Sequence, residues 1–216
     1  MKNLKLVIFD LDGVLVDACE WHQRALNEAL MEVCNYSIPP DEHESIFNGI
    51  PTRVKLKKLS KMGKISQDCH EEVYQTKQKK TKAIIQENSK IQPEKIKLIK
   101  DLKSRNLKVC CFTNSIRETA ELMLSTCGIL DLLDTVVTNQ DVRLPKPSPE
   151  GYLKILSLYK VSPKDAIIIE DSPKGIEAAI LSGCRVIGVG SALDVNLDLF
   201  KSIFEECEDR EDENSK

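Results

Sequence analysis

Five short apolar segments constrain the fold of this chain more than any other feature of its sequence. They are rich in valine and isoleucine, and they are apolar continuously rather than in alternation. Continuous apolar runs are typical of parallel strands that helices cover on both faces. We therefore predict a doubly wound α/β core built on the strands Leu4–Phe9, Lys108–Thr113, Thr135–Thr138, Ala166–Glu170 and Arg185–Val189.

A long segment, residues 10–107, separates the first two predicted strands. A parallel crossover needs only about a dozen residues, so this segment must contain an insertion. Apolar residues recur there at helical spacing, first near Trp21, then after Ile50-Pro51 and again over 67–87. We predict an all-helical inserted unit, after which Pro93 begins the helix that returns the chain to the core.

These patterns divide the chain into three parts. Residues 1–17 and 90–204 form the α/β core, and residues 18–89 form the helical insertion. Residues 205–216 are mostly acidic with few apolar side chains, a composition typical of a disordered, solvated tail.

Composition excludes several classes of protein. Hydrophobic residues make up 41% and charged residues 30% of the 216 residues, which is the balance of a globular protein. No run of about 18 apolar residues predicts a membrane span, and no export signal precedes the first strand. We expect a cytoplasmic protein without a membrane partner, and a net charge of −3 is too small to indicate any other partner.

The eight cysteines are scattered, and none shows the C-x-x-C spacing of a metal or redox site. Cys110 and Cys111 lie within an apolar strand, where a thiol behaves as a small hydrophobic group. We predict reduced, structural cysteines.

Two carboxylates directly follow the first strand. Asp10 and Asp12 lie at the carboxyl edge of the predicted sheet, where open α/β folds bind ligands. One carboxylate can attack phosphorus while a second protonates the leaving oxygen and then activates water. An Asp-Gly turn that merely ends the strand explains this segment equally well.

Polar residues also follow the second and fourth strands. Thr113, Asn114 and Ser115 can hold a phosphate group or cap the next helix. Glu170 and Asp171 offer the oxygen ligands that magnesium prefers, although Asp171 is also placed to cap a helix.

Lys146 lies between two prolines on a loop, in the segment Leu144-Pro145-Lys146-Pro147. A fixed ammonium group at that position can neutralise a phosphate.

Together these segments resemble the haloacid dehalogenase-like (HAD) hydrolase superfamily. Four signatures carry the resemblance in the expected order, and residues 168–179 are similar to the beta-phosphoglucomutase-like branch. The resemblance implies a Rossmann-like core with a small helical cap. The signatures are Asp10-Leu11-Asp12-Gly13-Val14, Thr113-Asn114-Ser115, Lys146-Pro147 and Glu170-Asp171-Ser172-Pro173.

The resemblance also implies roles for these residues. Asp10 would be the phosphorylated nucleophile and Asp12 the general acid and base, with Thr113 and Lys146 holding the phosphoryl group. Asn114 and Ser115 would contribute to substrate binding.

The resemblance implies a magnesium cofactor as well. Asp10, the backbone carbonyl of Asp12 and Asp171 would bind the ion, and Glu170 would be a further ligand or a partner of the ligands.

Substrate choice would then depend on the helical insertion. His22 resembles a hinge histidine of the beta-phosphoglucomutases, Lys77 resembles their cap lysine, and Arg53 lies one position later than their cap arginine. A surface histidine and an ordinary solvated lysine are equally compatible with the sequence. The basic stretch from Arg53 to Lys82 is interpreted as solvated helix faces, and we expect no nucleic-acid partner because aromatic residues are sparse there.

Ala18 replaces the threonine that the mutases carry eight residues after the nucleophile. This difference and the shifted Arg53 favour a phosphatase acting on a small phosphorylated metabolite, such as a sugar phosphate. A sugar phosphomutase is the alternative, and a non-catalytic phosphate-binding protein is the third hypothesis. We expect a monomer.

Overall fold

The computed structural model describes residues 4–47 and 50–213, with backbone alone for Glu44 and for residues 206–213. Five parallel strands form one sheet in the order β3-β2-β1-β4-β5. The predicted α/β class is therefore confirmed, and β1 lies at the centre of the sheet. The strands are β1 (Leu6–Phe9), β2 (Lys108–Phe112), β3 (Thr135–Val137), β4 (Ala166–Glu170) and β5 (Arg185–Gly188).

Helices cover both faces of this sheet. On one face Val7 and Phe9 pack against α5 (Pro93–Ser104), α6 (Arg117–Thr126) and α9 (Leu197–Glu213). On the other face Leu6 and Ile8 pack against α7 (Glu150–Tyr159) and α8 (Pro173–Leu181). All four residues of β1 are fully buried, as a strand between two helical layers requires, and this burial explains the continuous apolar pattern.

β4 has the predicted bounds, and the other four described strands are slightly shorter than predicted. β2 ends at Phe112 rather than Thr113, β3 ends at Val137 rather than Thr138, and β5 ends before Val189. The backbone N–H of Thr113 still donates to the Val137 carbonyl at 3.0 Å, and the Thr113 and Thr138 side chains make hydrogen bonds at the sheet edge. β1 begins at Leu6 rather than at the predicted Leu4.

The long segment between β1 and β2 folds as helices, in agreement with its periodicity. Its helices are α1 (Cys19–Cys34), α2 (Pro40–Glu42), α3 (Thr52–Lys61) and α4 (His70–Asn88), with a π-helical turn at His43–Phe47. This helical insertion has its own apolar core, in which Leu30, Phe47 and Leu59 are buried. None of the described helices could span a membrane.

The C-terminal segment differs from the sequence prediction. α9 continues to Glu213, so residues 205–213 are helical where we predict a disordered tail, and residues 214–216 lie outside the described residues. Phe200 and Ile203 anchor the start of this helix in the core. Once a helix is nucleated, each further residue adds one hydrogen bond, which accounts for the continuation.

Candidate active site

The strand register brings the predicted segments to one edge of the sheet. Phe9 is paired with Cys111 on one side and with Ile169 on the other. Asp10 therefore lies level with the ends of β2 and β4, so the side chains that follow these strands converge. This is the carboxyl edge, where open α/β sheets place their ligand sites.

A buried lysine connects two of the acidic groups. Lys146 Nζ donates to Asp10 Oδ1 over 2.5 Å, to the backbone oxygen of Phe112 over 2.8 Å, and to Glu170 Oε1. Burial alone would lower the pKa of Lys146, but the Asp10 and Glu170 carboxylates outweigh it and hold that pKa well above its usual range. Lys146 therefore carries a fixed positive charge beside Asp10.

Burial raises the pKa of Asp10 well above its usual range, and nearby carboxylates add to this effect while Lys146 opposes it. Asp10 is only 7% exposed and faces the charges of Glu170, Asp12 and Asp171. Several carboxylates thus lie close together around Asp10, and the Lys146 ammonium group offsets part of their negative charge. A further cation would relieve the remaining repulsion.

The position of Lys146 depends on Asn114. The backbone N–H of Lys146 donates to Asn114 Oδ1 over 2.9 Å, and Asn114 Nδ2 donates to the Lys146 carbonyl over 3.2 Å. The peptide bond between Lys146 and Pro147 is cis. Asn114, which we predict to bind substrate, is thus engaged in positioning the lysine.

Glu170 is completely buried at the end of β4. Its Oε1 accepts hydrogen bonds from Lys146 and from the Tyr152 hydroxyl at 2.7 Å, and its Oε2 accepts from the Asp171 amide at 3.2 Å and from the Ser172 hydroxyl at 3.3 Å. Both oxygens are therefore occupied. Glu170 anchors the lysine and the start of the loop after β4.

α8 approaches this carboxylate closely because Gly175 has no side chain. A Cβ atom at Gly175 would lie 2.0 Å from the Glu170 carboxylate. The Gly175 amide donates to the Ser172 hydroxyl, which caps the helix at 3.1 Å.

Asp171 has a different environment. Its Oδ1 is buried and has no hydrogen-bond partner among the described residues. Gly13, with φ of +87°, leaves the room that this carboxylate needs, because a Cβ there would lie 2.2 Å from Asp171 Oδ2. Burial, followed by the charge of Glu170, raises the pKa of Asp171 to about 6.

These features fit a divalent cation. Ligand oxygens of Asp10, Glu170 and Asp171 lie within 4.8 Å of one another. A buried carboxylate oxygen without a partner costs free energy unless a donor or an ion satisfies it. Carboxylate oxygens are also the ligands that hard cations such as magnesium take.

Asp12 contacts both the core and the helical insertion. Its Oδ2 accepts from the Ser115 hydroxyl at 2.9 Å and from the Thr113 hydroxyl at 3.4 Å. Its Oδ1 lies 2.9 Å from Nε2 of His22 on α1, and His22 Nδ1 lies 3.1 Å from Lys77 Nζ on α4. The insertion therefore contacts Asp12, the predicted general acid and base, through His22, and Lys77 contacts His22 from the other side.

The directions of the pKa shifts indicate the charges of His22 and Asp12. Burial lowers the pKa of His22, and the Lys77 charge lowers it further. A neutral His22 then donates from Nε2 to Asp12 and accepts from Lys77 at Nδ1. Burial would raise the pKa of Asp12, but the contacts with His22 and Ser115 outweigh it and lower that pKa, so Asp12 is a carboxylate here.

A cavity of about 420 Å³ lies between the core and the helical insertion. Asp10, Asp12 and Asp171 lie at its core side. The insertion lines the opposite side with the predicted residues His22, Arg53 and Lys77, and also with Lys55, Tyr74 and Gln78, which the sequence analysis did not single out.

Arg53 is held at the rim of this cavity. Its guanidinium donates to Glu71 at 2.8 Å and lies 4.0 Å from the centre of the Tyr74 ring. The backbone N–H of Lys55 donates to the Pro51 carbonyl at 3.1 Å, but its side-chain ammonium has no hydrogen bond or ion pair with another described residue, and burial lowers its pKa to about 8. Only its place two residues after Arg53, on the cavity face of α3, could have indicated it.

The comparisons with known proteins agree with this geometry. A family model of haloacid dehalogenase-like hydrolases matches residues 7–189. A phosphorylated carbohydrates phosphatase of Thermotoga maritima is 29% identical over 192 residues, 88% of each chain. The beta-phosphoglucomutase of Bacillus subtilis is 29% identical over 196 residues, 87% of this chain and 84% of that one.

A solved structure shares the fold. The crystal structure of beta-phosphoglucomutase from Clostridium difficile superposes with a TM-score of 0.80 at 24% identity, covering 94% of this chain and 98% of that one. The family match extends over most of the sequence and includes all four signature segments. The resemblance inferred from those segments is confirmed, and the chain belongs to the haloacid dehalogenase-like hydrolase family.

Proposed function

We propose that this protein is a magnesium-dependent phosphatase that hydrolyses a small phosphorylated metabolite, such as a sugar phosphate, through an aspartyl-phosphate on Asp10. One observation carries the proposal: the buried Asp10 lies against the ammonium group of Lys146, two residues before the hydrogen-bonded Asp12. The phosphatase and mutase names of the relatives support phosphoryl transfer on sugar phosphates.

In the first step the Asp10 carboxylate attacks phosphorus and the bond to the leaving oxygen breaks. Lys146 neutralises the charge that gathers on the phosphoryl oxygens, and Thr113 and Ser115, which line the same cavity, would donate hydrogen bonds to them. The charge of a bound phosphate raises the pKa of Asp12, which prepares Asp12 to carry the proton that the leaving oxygen takes.

In the second step Asp12, again a carboxylate, accepts a proton from water while the water oxygen attacks phosphorus and the bond from phosphorus to Asp10 breaks. The contact with His22 orients Asp12 in that state. Cleavage of the phosphorus–Asp10 bond yields inorganic phosphate and regenerates the Asp10 carboxylate, and phosphate release returns the site to its starting state.

A bound magnesium ion would supply positive charge that offsets the repulsion between the Asp10 carboxylate and the phosphoryl group. Asp10, Asp171 and the backbone carbonyl of Asp12 would hold it, and the unpaired Asp171 Oδ1 supports this assignment. Glu170 is placed among the candidate ligands by distance, but its hydrogen bonds favour a positioning role behind the site.

A phosphomutase is the second candidate because a beta-phosphoglucomutase is among the relatives. A mutase must protect its aspartyl-phosphate from water until the sugar intermediate has reoriented in the site. Ala18 is fully buried at the start of the insertion and provides no hydroxyl for such control, and Arg53 is paired with Glu71. These two features favour hydrolysis.

Charge pairing supports a small-molecule partner over a nucleic acid. Arg53, Lys80 and Lys82 on the insertion are paired with Glu71, Glu32 and Glu118. These three residues lie on solvated helix faces as expected from the sequence, whereas Lys77 of the same basic stretch is only 6% exposed. We retain a monomeric, cytoplasmic protein as part of the proposal.

The experiment that tests the proposal is a screen of phosphate monoesters with magnesium that measures both inorganic phosphate and isomerised product. We expect a hexose 1-phosphate or a related sugar phosphate to release phosphate. Adding a trace of the corresponding bisphosphate should not divert the substrate into the 6-phosphate. Stoichiometric conversion of the 1-phosphate to the 6-phosphate would make the protein a mutase. Phosphate binding without turnover of any ester would favour the non-catalytic hypothesis.

A further inference from the structure

Two cysteines meet at the end of the helical insertion, outside the phosphoryl-transfer site. Cys34 is the last residue of α1, and Cys69 immediately precedes α4. Their Sγ atoms lie 2.8 Å apart, and both residues are half-buried free thiols. Neither residue lines the cavity between the insertion and the core.

The geometry of this pair suits a covalent bond. A disulfide has an S–S distance of about 2.05 Å, so the sulfurs need to approach by less than about 1 Å. Cysteines whose side chains point apart require backbone movement before they can be bridged. Here the side chains already point towards each other, because the Cys34 thiol donates a hydrogen bond to the Cys69 sulfur.

The two thiols are not equivalent. Burial, followed by the contact with Cys69, raises the pKa of Cys34 to about 12. Cys69 accepts the hydrogen bond from Cys34, donates one to the Ser66 carbonyl at 3.0 Å, and immediately precedes the long helix α4. Because the Cys34 thiol is the donor of the hydrogen bond and has the raised pKa, we assign Cys69 as the attacking sulfur and Cys34 as the resolving one.

We propose that Cys34 and Cys69 form a redox modification site, at which a small-molecule disulfide such as oxidised glutathione converts the two thiols into a disulfide bond between α1 and α4. The Cys69 thiolate attacks one sulfur of the oxidant, forms a mixed disulfide and releases one glutathione thiolate. Cys34 then loses its proton and attacks the Cys69 sulfur, which releases the second glutathione thiolate. The protein gives up two protons and two electrons, and the oxidant becomes two thiols.

The bond would brace the helices that reach the candidate active site. His22 lies on α1 and Lys77 lies on α4, and these two side chains form the chain that contacts Asp12. Closing the loop from residue 34 to residue 69 also restricts the unfolded chain. Oxidation is therefore expected to raise the thermal unfolding midpoint without adding any group at the cavity.

The test uses the full chain in glutathione buffers that range from fully reduced to fully oxidised, at about pH 8. Remaining thiols are alkylated, and the proteins are analysed by intact mass and peptide mapping. We expect the oxidised protein to lose two alkylatable thiols, to yield a peptide that links Cys34 to Cys69, and to melt at a higher temperature until dithiothreitol reverses the change.

Single variants test the order of the steps. Cys34→Ser leaves Cys69 without a resolving partner, so we expect it to accumulate one glutathione adduct at Cys69. Cys69→Ser leaves the high-pKa thiol of Cys34, which should stay unmodified over the same period. Cys184→Ala removes a buried thiol far from the pair in sequence and should still form the linked peptide.

Two results would overturn the inference. Wild-type protein that keeps both thiols alkylatable in excess oxidised glutathione has no such site. A peptide map that pairs either cysteine with a different partner would likewise reject the assignment, and both results are independent of phosphatase activity.

Discussion

At the scale of single residues, the site separates three acidic groups by their surroundings. Asp10 is paired with Lys146, Asp12 with His22 and Ser115, and Asp171 keeps an oxygen without a partner among the described residues. Desolvation, charge and hydrogen bonding therefore give three chemically similar side chains three different electrostatic environments.

Asp10→Asn tests the nucleophile. The amide occupies the same volume but does not attack phosphorus, so we expect turnover to fall by at least about 10³-fold. Steady-state phosphate release measures the loss, and circular dichroism measures the fold. Asp17→Asn, which changes an exposed acid on the same segment, is the control and should retain activity. Full activity in a correctly folded Asp10→Asn variant would end the aspartyl-phosphate mechanism.

Asp171→Asn tests the cation site. We expect activity to fall by more than about 100-fold and the magnesium concentration for half-maximal activity to rise, because one charged ligand is lost. In a chelator the same variant should be slightly more stable than the wild type, since the buried charge is gone. Asp165→Asn, beside Lys5 at the opposite end of β4, is the matched control. Unchanged magnesium dependence in the Asp171→Asn variant contradicts the assignment.

At the scale of secondary-structure elements, two close approaches build the site. Gly13 leaves room for Asp171, and Gly175 lets α8 lie against Glu170. The helical insertion contributes through α1 and α4, which place His22 and Lys77 beside Asp12. The helices and strands thus bring together site residues that are far apart in the sequence.

Gly175→Ala tests the contact between α8 and β4. The new Cβ would lie 2.0 Å from the Glu170 carboxylate, so we expect a loss of at least about 2 kcal/mol in the free energy of unfolding, together with reduced activity. Chemical denaturation measures the stability. Gly188→Ala is the control, because its Cβ would meet only Ile176 at an ordinary 3.8 Å. Equal effects of the two substitutions would contradict the close-contact explanation.

We expect His43 in the helical insertion to make the stability against unfolding depend on pH. It is 2% exposed, its Nε2 lies 3.1 Å from Asn27 Oδ1, and its Nδ1 has no partner among the described residues. Burial, followed by the Lys55 charge, lowers the pKa of His43 from 6.5 to about 4. The unfolded chain then binds the proton more readily than the folded one.

Stability should therefore fall as the pH drops from about 6.5 to 4, by about 1–3 kcal/mol at the acidic end. Urea denaturation at several pH values measures this change. His43→Gln should lose that part of the pH dependence, whereas His70→Gln, at a half-exposed histidine, should keep it. If both variants follow the wild-type curve, His43 is not the group responsible.

At the scale of the whole molecule, the core and the insertion enclose one cavity with carboxylates on one side and basic groups on the other. The proposed cation binding at the carboxylates would stabilise only the folded chain, because the ligands converge only there. The same binding event therefore links function to global stability.

Magnesium should raise the thermal unfolding midpoint. At a concentration of about 100 times the dissociation constant, the gain is about 2.7 kcal/mol, or several degrees for a chain of this size. Differential scanning calorimetry in magnesium and in chelator measures the shift, with sodium chloride at equal ionic strength as the control. Asp171→Asn should reduce the shift, and an equal shift in that variant would place the ion elsewhere.

The sequence alone determined the sheet and the location of the chemistry. Continuous apolar runs have few structural solutions, and the carboxyl ends of parallel strands necessarily share an edge. Asp10, Thr113 and Glu170 could therefore be assigned to one site before any distance was known. The helical periodicity of the insertion was equally sufficient to predict its helices.

Only the tertiary structure decided what each of these residues contacts. Asn114 supports Lys146, Arg53 is paired with Glu71, and the His22–Lys77 pair reaches Asp12, although the sequence left both members of that pair open to ordinary surface roles. Such contacts depend on how helices from distant segments pack, to within about an ångström. Local patterns of residues carry no information on those distances, since side-chain directions are set by the packing of the assembled core.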